Sequence, residues 1–156
     1  MRSKLKAAFA MTAVAVGVLA WGVAWATPQS GVTTTILSGP VTLDEIHVHT
    51  RFGDHQVKYK TQGVSDVYVV QNKIVPGGHT GWHSHAGPSI ISVLSGQATE
   101  YHAGDTVGVT HAAGTAFVDD GDGAHLVKNE GSVDLVLIAF QVIPQGETRR
   151  IDEDAP

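Results

Sequence analysis

The stretch Gly77-Gly78-His79-Thr80-Gly81-Trp82-His83-Ser84-His85-Ala86-Gly87-Pro88-Ser89 decides how the rest of this chain is read. It places three of the chain's nine histidines within seven residues. His83 and His85 stand two apart, so on an extended backbone their imidazoles share one face of a sheet. A pair held that way is most of a metal site and needs one or two further donors from elsewhere. The bland alternative is a pair of hydrogen-bonded interior histidines with no metal. The remaining sequence therefore has to be searched for a barrel and for a third ligand.

On both sides of this stretch the sequence reads as short β segments. Residues 32–37 are rich in Thr and apolar side chains and end at the breaker cluster Ser38-Gly39-Pro40. Residues 46–49 and 57–60 alternate, and residues 66–75 form a longer run that Pro76-Gly77-Gly78 is expected to stop. Segments 89–94 and 97–102 flank the tight turn Ser95-Gly96, and residues 115–118 and 126–128 follow. Residues 133–142 are the most hydrophobic segment after the N-terminal run and read as a central strand buried on both faces. Nothing outside that N-terminal run sustains a 3.6-residue period. Short strands separated by glycine turns predict an all-β sandwich or barrel.

A length of 156 residues leaves room for one domain. Lys and Arg number 10 against 15 acids, and three of those cations lie in the first six positions. The remainder is more acidic than the overall net charge of -5, which argues against nucleic acid or an acidic membrane surface as a partner. Arg2, Lys4 and Lys6 precede an almost unbroken apolar run that closes on Ala24-Trp25-Ala26, the shape of a secretory signal peptide. An uncleaved anchor is the alternative, because the run approaches the roughly 20 residues that span a bilayer. The expected organisation is a signal peptide over residues 1–26, an N-terminal arm over 27–40, a barrel over 41–145 and a polar tail over 146–156 that frays. The expected location is periplasmic or secreted. Export usually means an oxidising compartment, yet the chain has no cysteine, so any metal must be held by His, Asp or Glu.

With these segments in place, the sequence resembles the cupin family. Gly77, five residues, His83-Ser84-His85, three residues, Ser89, six residues and Gly96 follow the spacing of that family's first motif. Gly114, five residues, Asp120-Gly121-Asp122, two residues, His125, three residues and Asn129 follow the second. The resemblance implies a single barrel of the double-stranded β-helix or jelly-roll type, with one divalent metal bound by His83, His85 and His125. Two departures from the family pattern stand out. Ser89 stands where the family has a glutamate ligand, and Asp120 and Asp122 stand where it has Pro and Gly. Strand parity alone supports His83 and His85, but it does not choose His125 over His79, His102 or His111 as the third donor.

A neutral three-imidazole site would leave open positions for water, a chelating small molecule or dioxygen. Fe, Mn, Ni, Cu and Zn all accept imidazole. The resemblance is compatible with a metal-dependent oxygenase and equally with a binding module that turns nothing over. A small-molecule ligand is the expected partner, and a homodimer is a possible assembly. His79 reads as an exposed loop residue, and Trp82 as outer packing. His47, His49, His55, His102 and His111 read as surface or edge residues. Glu100 is the one carboxylate of its strand that could replace the missing ligand. Asp119-Asp120-Gly121-Asp122-Gly123 lacks the spacing of a calcium loop and reads as a solvated turn.

Overall fold

The computed structural model describes residues 26–156, so the expected signal peptide lies outside the described residues except for Ala26. Twelve strands follow in order: β1 (Ser30–Leu43), β2 (His47–Phe52), β3 (His55–Lys60), β4 (Ser65–His79), β5 (His83–Ser84) and β6 (Ser89–Ser95), then β7 (Gln97–His102), β8 (Val109–Ala112), β9 (Ala116–Asp119), β10 (His125–Lys128), β11 (Leu135–Pro144) and β12 (Ile151–Asp152). Among the described residues there is no helix, and every pairing is antiparallel. All strands except β2 and β3 belong to one ten-stranded sheet that curls into a barrel, with neighbours β12-β5-β10-β4-β11-β6-β9 along its main path. β2 and β3 form a separate hairpin that carries the exposed His47, His49 and His55. The all-β barrel expectation is met.

Alternation explains the layering. In β11, Leu135, Leu137, Ala139, Gln141 and Ile143 are buried, and the residues between them are half-buried or exposed. The strand is central, between β4 and β6, but only one of its faces is buried, which corrects the expectation of burial on both. Its outer residues are apolar without being covered, and composition alone does not separate those two cases. Ile74, Ile91, Val93, Ala98, Phe117, Val127, Leu135, Leu137 and Ala139 close one contiguous core inside the barrel.

Three boundaries differ from the sequence reading. Ser38-Gly39-Pro40 does not end β1; the strand passes through it, with irregularities between Ile36 and Ser38 and between Ser38 and Val41. A bulge absorbs residues that cannot join the ladder without ending the pairing. Pro76-Gly77-Gly78 likewise does not end β4. There the Gly77 N–H donates to the Asn129 carbonyl at 2.8 Å and the Asn129 N–H donates to the Gly78 carbonyl at 2.9 Å. The third correction is the tail, which is not frayed. Ile151 and Asp152 pair with Ser84 and His83, and Ala26 bridges to Asp154.

Candidate metal centre

Four strands and one turn bring the site together. β5 carries His83, the turn after it carries His85, β10 carries His125, and β6 and β11 supply the adjoining wall. His125 is the cross-strand partner of His83, so their side chains project to the same face. One donor atom from each of His83, His85 and His125 lies within 4.8 Å of the others. The ring centroids are 4.2 Å apart for His83 and His125, 4.9 Å for His83 and His85, and 5.1 Å for His85 and His125. The three expected ligands therefore meet, and His125 is selected over His79, His102 and His111.

Two of the three rings, those of His83 and His85, are anchored from behind. Nδ1 of His83 lies 2.9 Å from the Gly81 carbonyl, and Nδ1 of His85 lies 2.7 Å from the Arg149 carbonyl. A carbonyl only accepts, so each Nδ1 carries the proton and each Nε2 is left as the basic nitrogen. This is the support that metal-binding imidazoles require. Burial, followed by the nearby His125, Arg150 and His85, pushes the His83 imidazole down to about 2. Burial also lowers His85, with His125 adding to it and the Arg149 carbonyl and Asp119 opposing. Both rings are therefore neutral at ordinary pH, the state in which imidazole binds metals. The donor set, its burial and its anchoring fit a divalent transition metal.

The three histidines open onto a cavity of about 260 Å³. Ile91, Val127, Leu137 and Ala139 give it an apolar floor, and Ser89, Gln141, Arg149 and Arg150 give it polar walls. Ser89 is fully buried, and its Oγ accepts from Gln141 Nε2 at 2.9 Å. Arg149 Nη1 donates to Gln141 Oε1 at 3.2 Å, and Arg150 Nη2 donates to the Thr80 carbonyl at 2.8 Å. Burial, then the neighbouring Arg150, lowers the Arg149 guanidinium from its ordinary value.

Sequence reasoning missed Gln141, both arginines and Asp119. Asp119 was read as part of a solvated turn but is 1% exposed, with Oδ2 2.7 Å from His125 Nε2. Parity on β9, where the buried Phe117 precedes it by two, was the available signal. Asp120 fits the turn reading, with its Oδ1 accepting from the Asp122 N–H. Glu100 does face inward opposite Val127, yet it joins a second cluster. Its Oε2 lies 3.2 Å from His111 Nε2 and its Oε1 3.7 Å from His102 Nε2. His111, half-buried on the edge strand β8, also stacks on Phe117 at 3.9 Å. The half-buried His79 accepts from the Gly81 N–H through Nδ1 and stays outside the site.

No protein-family model matches the sequence, and no curated protein is similar to it at the level that would count as a relative. Solved structures do resemble it. A cupin superfamily protein from Desulfitobacterium hafniense is 12% identical, over 72% of this chain and 77% of its own, with a TM-score of 0.49. A cupin domain from Bordetella pertussis is 18% identical, over 74% of this chain and 95% of its own, also at 0.49. A Thermotoga maritima protein described as a predicted oxalate decarboxylase is 23% identical, over 53% of this chain and 83% of its own, at 0.44. The strand order of this chain makes its fold a single all-β antiparallel barrel, in which His83 and His85 meet His125 in one cavity.

Proposed function

We propose that this chain is an exported cupin that binds one divalent transition metal through His83, His85 and His125 and presents it to a small anionic, chelating molecule. The convergence of three imidazoles on one cavity, two of them neutral and anchored through Nδ1, carries this reading. When bound, the ion would supply a Lewis acid with open positions for a chelating group. The residues around it do the rest. Gly81 and the tail fix the two ring tautomers, the apolar floor excludes water, and Arg149 and Arg150 offer positive charge to a carboxylate. The positive head and Ala-rich run at the N-terminus support export.

A second reading is a module that captures its ligand without turnover. It is favoured by the cavity lining, whose titratable side chains are the three histidines and the two arginines, leaving no carboxylate to act as general base there. Elemental analysis of the purified full chain tests the metal. Less than about 0.1 equivalent after reconstitution, against the near-stoichiometric loading of a real site, would refute it. Substituting His83→Ala together with His125→Ala should abolish loading, and retention of the metal would refute the ligand set. Product formation or oxygen uptake with small carboxylates, diketones and phenols separates enzyme from module.

A further inference from the structure

Ser89 is not a metal donor, since its Oγ is already engaged by Gln141, and the position that would carry a carboxylate in this fold is therefore neutral. A carboxylate is nevertheless present one strand away. Asp119 on β9 is the cross-strand partner of Ser89 on β6, so both side chains project to the same face. Its Oδ1 accepts from the Gly121 N–H at 2.7 Å, which fixes the carboxylate plane and leaves Oδ2 free. Oδ2 is buried and makes no hydrogen bond, although His125 Nε2 is only 2.7 Å away and His85 Nε2 3.6 Å away. An orphaned buried oxygen of this kind is unfavourable unless something else satisfies it.

We propose that Asp119 Oδ2 is the fourth donor to the metal, supplied from β9 in place of the missing carboxylate of β6. This rests on the three-histidine metal centre proposed above. Two donors about 2.1 Å from one ion, separated by roughly 80–120°, lie about 2.7–3.6 Å from each other. The two Asp119 separations fall at the ends of that range. One carboxylate changes the site from neutral to singly negative, so a bound divalent ion keeps a net charge near +1 and the open positions still favour an anion.

The test uses the metal-free full chain titrated with Co(II), following both affinity and the visible d–d spectrum. Asp119→Asn retains the oxygen that accepts from Gly121 and removes only the charged donor. It should weaken Co(II) binding by more than about 100-fold, beyond the 10–100-fold typical of a group that merely orients a ligand, and should change the d–d bands. Adding Ser89→Glu in that background returns a carboxylate from the facing strand and should recover at least about tenfold of the affinity. An Asp119→Asn chain with the wild-type spectrum, whatever its affinity, overturns the assignment and makes Asp119 a positioning residue for His125. If that variant does not fold, wild-type protein labelled with 13C at its aspartate carboxyls decides. A Co(II)-induced, isotope-shifted carboxylate band supports the proposal, and its absence overturns it. A wild-type chain that takes up no Co(II) sinks the metal centre and the Asp119 assignment together, whereas normal uptake with an unaltered variant sinks only the latter.

Discussion

Deleting residues 149–156 should weaken metal binding far more than it weakens the fold. The Arg149 carbonyl is the acceptor that holds His85 Nδ1 at 2.7 Å, so the truncation removes the group that sets that ring's tautomer and angle. Loss of such a partner typically costs 10–100-fold in metal affinity, or about 1.4–2.7 kcal/mol. Stability should respond differently. The segment is held by hydrogen bonds: Arg150 to the Thr80 carbonyl (2.8 Å), Ser84 to Glu153 (2.6 Å), and the Glu153 N–H to the Trp82 carbonyl (3.0 Å). Each of these returns roughly 1 kcal/mol net, and ordering each residue costs about 1–2 kcal/mol. Ile151, the tail's one large apolar side chain, is 44% exposed and adds little burial. Docking of the tail is thus close to neutral for the barrel. The truncated chain should melt within about 5 °C of the full chain when both are metal-free. Its affinity for Zn(II), measured by competition with a chromophoric chelator, should fall by at least about tenfold. Unchanged affinity would refute the role given to the Arg149 carbonyl, and loss of the folded state would refute the energetic argument.

Asn129 offers a cleaner stability test. It is fully buried, and its Nδ2 donates to the Ile74 and Val133 carbonyls, each at 2.8 Å, while Oδ1 accepts from the Gly131 N–H at 3.0 Å. Asn129→Ala should lower urea stability by about 3 kcal/mol or more, because three backbone groups lose their partner, and a loss under about 1 kcal/mol would contradict it. Acid should destabilise the metal-free chain. The His83 imidazole, ordinarily at 6.5, is pushed down to about 2 in the folded chain, so on acidification the unfolded chain takes up that proton first. Stability present above about pH 6.5 is then lost toward pH 2, by roughly 2 kcal/mol at pH 5 from this residue. Urea midpoints equal at pH 7.5 and pH 5 would refute this. Arg149→Ala in metal-loaded protein should weaken binding of a small dicarboxylate about tenfold or more, as expected for a lost charge-assisted hydrogen bond, with calorimetry as the readout.

What the sequence disclosed and what it hid divide along a physical line. The His83–His85 pair was legible because a two-residue spacing fixes relative direction along one strand. His125 was legible only through motif spacing, since its pairing with His83 joins segments forty-two residues apart. Asp119 was hidden behind a run of Asp and Gly that has the composition of a solvated turn. The turn begins one residue later, at Asp120, and Asp119 itself is the last inward residue of β9. Arg149 and Arg150 were hidden because a polar, charged tail has no hydrophobic pattern to announce docking. What holds it is main-chain pairing at Ile151 and Asp152, and any sequence can supply that. β8 was missed for a related reason: Val109 to Ala112 is four residues long and mostly exposed.

The charge distribution gives the tail a second consequence. The chain carries a formal net charge of -5, and a field of that sign repels small anions over most of the surface. Inside the cavity the balance reverses. Among the lining residues His83 and His85 are held neutral by burial and Arg149 and Arg150 contribute two positive charges, while the carboxylate of Asp119 stands against His125 outside that lining. Arg150 is shared with Asp152 at 2.7 Å, an ion pair formed within the tail itself. Arg149, by contrast, has a neutral amide as its side-chain partner, Gln141 Oε1. A guanidinium that is partly desolvated and matched only to an amide gains most from an incoming carboxylate. The tail therefore fixes His85 through one Arg149 atom, the carbonyl oxygen, and offers an anion site through another, the guanidinium. Metal and anion affinity should consequently fall together when the tail is removed, whereas Arg149→Ala, which keeps the carbonyl, should separate them.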